Sequence, residues 1–190
     1  MRIVTVTVQG VAPITFGRHY EVEKLSKESP DHYEQRTWKH KMHTDKEGQV
    51  IVPPMMVKNA LRDIGAFLNE KIPGKGAATY KKHFLSGLLV VDPAPLGVAA
   101  KDVSAVKLFV PSNGMAGSGK RVWKYFPTIP EWKTKVRVHI LDNTITREVF
   151  ERHFTEMGRY IGWGSFRPQR GGTNGRFETL KFEWQSDDES

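Results

Sequence analysis

The chain has 190 residues, no cysteine and a formal charge of +8, from 29 Lys and Arg against 21 Asp and Glu. That length suits one domain with sizeable insertions, and the missing cysteine excludes disulfide frameworks and thiolate metal sites. No stretch reaches the roughly 20 apolar residues of a membrane span, and Met1 to Val8 is too short and polar for a signal core, so a cytoplasmic protein without a membrane partner is expected.

Residues 2–9 alternate Ile3, Thr5 and Thr7 with Val4, Val6 and Val8, the period of a strand. Gly10, Pro13 and Gly17 break it. Residues 18–48 are charged and aperiodic, and read as an insertion carrying a hairpin or a short helix. Gln49 to Val52 is a short strand, closed by Pro53 and Pro54. A helix follows to about Lys71, with Val57, Leu61, Ile64, Phe67 and Leu68 on one face, and Ile72-Pro73-Gly74 stops it.

Residues 73–84 read as a basic, Gly-containing loop, and Leu85–Val91 and Val106–Val110 as apolar runs of strand length. Residues 111–133 are rich in Gly, Pro and aromatics, which predicts a long projecting loop. Lys135 to Leu141 alternates as a strand. Thr146 to Tyr160 is an amphipathic helix with Val149, Phe150, Phe154, Met157 and Ile161 inward, capped by Thr144 or Thr146, with Glu148 in the first turn. Gly162 to Gly175 is a Gly/Arg-rich loop, and Arg176 to Trp184 a final strand. The order reduces to βαββαβ, an α+β ferredoxin-like (RRM-type) core. One domain over 1–185 is expected, with the insertion at about 18–48, a projecting thumb-like loop at about 111–133 and an acidic tail at 186–190.

Charge is unevenly distributed. The segments between Glu70 and Asp92, Asp102 and Glu131, and Glu156 and Glu178 contain no acid but several Lys or Arg each. Basic windows interleaved with Gly and aromatics point to surfaces that face a polyanion.

Three segments carry residues suited to chemistry. Gly114 to Lys120 nearly spells a phosphate-binding loop, but Arg121 stands where Ser or Thr would hold magnesium, and Trp123, Tyr125, Phe126 and Pro127 oppose the helix that must follow. His40 and His43, beside Asp45, could form a metal pair or a general acid/base; a basic, solvated strand edge is the better account of them. The segment Gly162–Phe177 combines five glycines with Arg167, Arg170, Trp163 and Phe166. Its glycines permit close backbone approach and offer amides to phosphate oxygens, its arginines supply charge and its rings supply stacking faces. No metal, cofactor or catalytic residue is called for.

Three segments together resemble the RAMP superfamily (repeat-associated mysterious proteins), in particular the RNA-binding backbone subunits of CRISPR effector complexes. Gly10, Pro13 and Gly17 match the family's turn after its first strand. Val52-Pro53-Pro54-Met55-Met56-Val57-Lys58-Asn59-Ala60-Leu61-Arg62 keeps the Pro, Lys and Arg of a signature resembling Ile-Pro-Gly-Ser-Ser-x-Lys-Gly-x-x-Arg. Gly162–Phe177 matches the glycine-rich loop before the last strand. Pro54, Met55 and Met56 lose donors that the family presents to RNA, and Asn59 replaces a usual glycine. Where the RNA-cleaving branch carries an aspartate, this chain has Trp38 with no Asp adjacent.

The resemblance implies a non-cleaving protein that binds single-stranded guide RNA without sequence preference. It implies self-association along that RNA, or assembly with other effector-complex subunits, as a host subunit or a phage-encoded relative. Residues 111–127 would be the thumb that kinks the strand. Lys58, Arg62, Lys120, Arg121, Arg167 and Arg170 are the expected phosphate contacts, Trp123 and Phe166 the stacking residues, and Gly171 and Gly172 the points of close approach. Two alternatives stand beside it: a metal-independent endoribonuclease using His40 or His43, and a protein-interaction module that mimics a complex subunit.

Overall fold

A computed structural model describes residues 1–114, 117 and 119–185; the acidic tail expected at 186–190 lies outside the described residues. The first alternating run forms β1 (Arg2–Gly10), and β2 (Ile14–Thr15) follows the turn. The insertion holds α1 (Pro30–Thr37), started by the Ser29 hydroxyl accepting from His32 N at 3.3 Å, and then one 3-10 turn over Trp38–Lys41. β3 (Gln49–Val52) leads into α2 (Pro54–Leu68), and α3 (Lys81–Ser86) into β4 (Leu88–Leu89). Then come β5 (Ala94–Ala99), β6 (Ser104–Pro111), β7 (Arg121–Ile129) and β8 (Lys133–Ile140). The chain closes with α4 (Arg147–Tyr160) and β9 (Phe177–Trp184).

The fold is a mixed α/β arrangement of antiparallel sheets. The largest sheet has four strands in the order β4-β8-β1-β9; β2-β7-β6 and β3-β5 form smaller ones. Val4 lies opposite Val138 and Val6 opposite Val136, so both strands turn valines to the same buried side. The amphipathic helices close that core. Leu61 and Ile64 of α2 and Phe150, Phe154 and Met157 of α4 are fully buried, each side chain contributing about 1.5–3 kcal/mol by leaving water. Phe154 meets Phe177 at 6.0 Å and Phe182 at 6.1 Å, which fixes α4 against β9. Thr146, not Thr144, caps α4, its hydroxyl accepting from Val149 N at 3.3 Å. No helix among the described residues is long and apolar enough to cross a membrane.

Four local expectations are corrected. Residues 111–133 are not one loop: β7 occupies Arg121–Ile129 and pairs with β6 from Ser104↔Thr128 to Pro111↔Arg121, a ribbon with a short Gly-rich tip. The Gly114–Arg121 motif therefore joins two antiparallel strands, the wrong setting for a phosphate-binding loop; Met115, Ala116 and Ser118 lie outside the described residues. Residues 81–86 are helical, so the apolar run from Leu85 provides only the two paired residues of β4. Phe67 is 59% exposed, stacked on Tyr160 at 5.1 Å rather than packed inward. β5, with Pro95 and Gly97 inside it, carried no strand signal.

Candidate nucleic-acid interface

An open groove of about 1200 Å³ lies between three walls, beyond the ~300–1,000 Å³ of a small-molecule pocket. The first wall is the insertion: Gly17 to Tyr20, with Tyr33 and Glu34 of α1 and Lys41. The second is one face of the β6–β7 ribbon, presenting Val110, Lys124 and Phe126. The third is the glycine-rich loop, Gly164 to Arg167 and Arg170 to Gly172.

β2 joins the ribbon to the loop. Phe16 N donates to Pro127 O at 3.0 Å, Ser165 N to Thr15 O at 2.7 Å and Gly175 N to Pro13 O at 2.7 Å. Asn174 Nδ2 donates to the Thr15 hydroxyl at 2.8 Å. Side chains of the insertion join it to the ribbon. Lys41 Nζ donates to Glu34 Oε2 at 2.5 Å and to Tyr125 O at 2.7 Å, and Tyr125 N donates to Glu34 Oε2 at 3.1 Å. The ion pair thereby satisfies the outer edge of β7 as a neighbouring strand would. Lys41 is 6% exposed and sits 4.7 Å from the Phe126 ring. Burial pushes its ammonium below the ordinary lysine value, against the pull of Glu34.

Five expected site residues come together here: Phe166, Arg167, Arg170, Gly171 and Gly172. Phe166 meets Phe126 edge to face at 4.9 Å, with its own backbone at φ 56°. Arg170 is exposed. Arg167 is largely covered (17% side-chain exposure), 3.8 Å from Asp63 Oδ2. Burial holds its guanidinium below the ordinary value despite the Asp63 charge.

The loop's glycines answer to its own packing. A Cβ at Gly172 would lie 1.8 Å from Phe166 O, at Gly175 1.8 Å from Trp163 O, at Gly164 2.4 Å from Thr15 O and at Gly162 2.8 Å from Pro168 Cδ. Four of the five are thus required by the loop's own packing. Its amides are also spent internally: Gly171 N donates to Pro168 O, Gly172 N to Arg167 O and Asn174 N to Phe166 O, at 2.9, 3.1 and 3.0 Å. The groups this loop leaves free toward the groove are therefore chiefly side chains, Arg170 among them.

The other expected residues lie elsewhere. Lys58 Nζ donates to Phe84 O at 3.1 Å and Leu85 O at 2.8 Å, tying α2 to the end of α3. Burial, then the nearby Arg62, lowers its pKa. Arg62 is held by Asp63 Oδ1 at 2.6 Å and Asn59 Oδ1 at 3.2 Å. Arg121 and Trp123 are on the ribbon but off the groove wall, and Lys120 is exposed at its tip. His40 stacks on Tyr20 at 5.7 Å, and His43 meets Phe16 edge to face at 6.4 Å; neither lines the groove.

Arg18, Tyr20, Tyr33, Lys41, Lys124 and Phe126 were missed as groove residues. The first four fall in the aperiodic insertion. Lys124 and Phe126 carry a usable signal, the β-branched and aromatic residues Val122, Trp123, Tyr125 and Phe126 around them, but Pro127 and the nearby glycines give the segment the composition of a loop. Among the described residues no cluster of three or more His, Asp or Glu could hold a metal.

No protein-family model matches the sequence, and no curated protein matches it. Solved structures do. A chain of the Type III-B Cmr-beta bound to cognate target RNA is 12% identical with a TM-score of 0.57, over 96% of this chain. The protein spans only 60% of that chain's length. Cmr6 from Pyrococcus furiosus is 13% identical with a TM-score of 0.46, over 94% of this chain and 98% of its own. A chain of a CRISPR RNA-guided surveillance complex is 11% identical with a TM-score of 0.42, over 97% and 68%. The first of these likenesses shows a shared fold.

Proposed function

We propose that this chain binds single-stranded RNA without sequence preference and without cleaving it, as a subunit of a CRISPR-type ribonucleoprotein. The observation that carries the reading is the groove, where Arg18, Lys124 and Arg170 stand around the rings of Tyr20, Phe126 and Phe166. Cations neutralise phosphates and make binding salt-dependent. Rings stack on any base, because every base has a π-face. The fold supports the same reading. With α2 between β1 and β4, and α4 between β8 and β9, the sheet order β4-β8-β1-β9 fits a ferredoxin-like βαββαβ core. The β6–β7 ribbon is then the thumb, and further copies or other subunits would continue the path of the strand.

Fluorescence anisotropy with labelled single-stranded RNA, single-stranded DNA and duplex at several salt concentrations tests this. Tight, salt-sensitive binding of RNA that leaves it intact is expected, with stepwise growth on longer strands. Arg170→Ala should flatten the dependence of log K on log salt by about one unit across all sequences. Lys58→Ala should leave that slope unchanged, because its ammonium is committed to α3. Absence of RNA binding at low salt would defeat the proposal.

A further inference from the structure

Neighbouring residues of a strand face opposite sides, so the β6–β7 ribbon has two surfaces. One lines the groove through Lys124 and Phe126. The other carries Phe109 opposite Trp123 and Lys107 opposite Tyr125. Phe109 and Trp123 are 45% and 50% exposed, with ring centroids 5.1 Å apart. Arg121 lies over Phe109 at 5.4 Å, and Lys107 lies 5.4 Å from Trp123 and 5.1 Å from Tyr125. Cations and rings thus alternate along the outer face, bounded at its base by Asp31, 2.9 Å from Lys107.

Two large rings left half in water on a two-stranded ribbon have no core to join, and exposed apolar patches of this kind mark contact surfaces. Aromatics stacked beside Lys and Arg are the equipment for unpaired bases and their phosphates. The ribbon itself separates these rings from Phe126 and Phe166. A short strand seated in the groove cannot reach them.

We infer that the outer face of the ribbon is a second, independent site for single-stranded nucleic acid, built on Phe109 and Trp123, so that one chain holds two separate segments. This rests on the RNA-binding reading of the groove. A longer strand that wraps the ribbon engages both sites, the second at high effective concentration.

Calorimetric titration with a short oligouridylate, too short to span the ribbon, tests it on the parent, Trp123→Ala, Phe166→Ala and the double variant. Circular dichroism checks that each is folded. Two oligonucleotides per parent chain are expected, one for each single variant and none for the double. Quenching of Trp123 fluorescence should persist in Phe166→Ala. On a long strand, Trp123→Ala should weaken affinity about tenfold or more. One oligonucleotide per parent chain, retained in Trp123→Ala, would overturn the second site while leaving the groove reading intact. No binding to any variant or the parent would overturn the groove reading and this inference with it.

Discussion

Gly171 and Gly172 are neighbours under different constraints. Gly172 has backbone where a Cβ would go, 1.8 Å from Phe166 O. Gly171 has open space but sits at φ 78°, where an L-residue costs about 1–2 kcal/mol. Gly172→Ala must displace the strand of loop that carries Phe166, so it should lower stability by clearly more than Gly171→Ala and abolish groove binding. Gly171→Ala should cost about 1 kcal/mol and keep the groove, and Gly171→Asn, more tolerant of that conformation, should cost less. Urea unfolding combined with RNA titration separates the two. Equal losses at both positions would mean that the loop yields readily to a Cβ at Gly172, so that close approach does not govern it. Phe166 belongs to the same design. A non-glycine at φ 56° is held there at a cost of about 1–3 kcal/mol, and the ring it presents edge to face to Phe126 is what that strain secures.

At the scale of elements, the insertion is held to the ribbon by the Lys41–Glu34 pair where β2 stops. Lys41→Met would leave the largely covered Glu34 carboxylate beside Tyr125 without its counter-charge, a change that costs up to about 3–5 kcal/mol in fully buried pairs. Stability by urea unfolding should fall by that order. RNA affinity should fall too, because one groove wall loosens. The salt slope should stay unchanged, since Lys41 is already neutralised, whereas a slope reduced by about one would show Lys41 to be a phosphate contact. How far each element is legible in its own residues depends on what partners it. β1, β3 and α4 were legible to within a residue or two, because valines alternating in β1 and the Val149–Phe150–Phe154–Met157 spacing bury one face each. α3 spans only Lys81–Ser86, too short to show a helical period, and β7 is paired on one edge by side chains from α1 and the 3-10 turn. No local pattern encodes such a partner. The site followed the same rule: the loop at 162–177 was visible in composition, while Arg18 and Tyr20 depended on where the insertion folds.

The molecule as a whole buries histidine in a basic protein, and this sets its response to acid. His153 is fully buried in α4, stacked on Phe84 at 4.3 Å and edge-on to Tyr80 at 5.9 Å. Its Nδ1 donates to Val149 O at 2.8 Å, which leaves Nε2 as an acceptor with no hydrogen-bond partner among the described residues. Burial pushes its pKa below the ordinary histidine value; the Val149 carbonyl and Glu70 oppose this, and Arg152 adds to it. Burial, with Arg18 nearby, lowers His43 in the same sense. The unfolded chain therefore binds more protons than the folded one in the window below the ordinary value of about 6.5. Stability from these groups is complete above that pH and declines as pH falls toward the depressed folded values. Thermal unfolding of the parent should show a midpoint that drops between about pH 7.5 and about pH 5. His153→Leu removes the buried titrating ring and should make that drop smaller, even if the variant is less stable near neutrality. Its RNA binding at neutral pH should be unchanged, because His153 lies outside the groove. An equally steep acid loss in His153→Leu would show that the destabilising proton binds elsewhere, with His43 beside Phe16 and Arg18 next to be replaced.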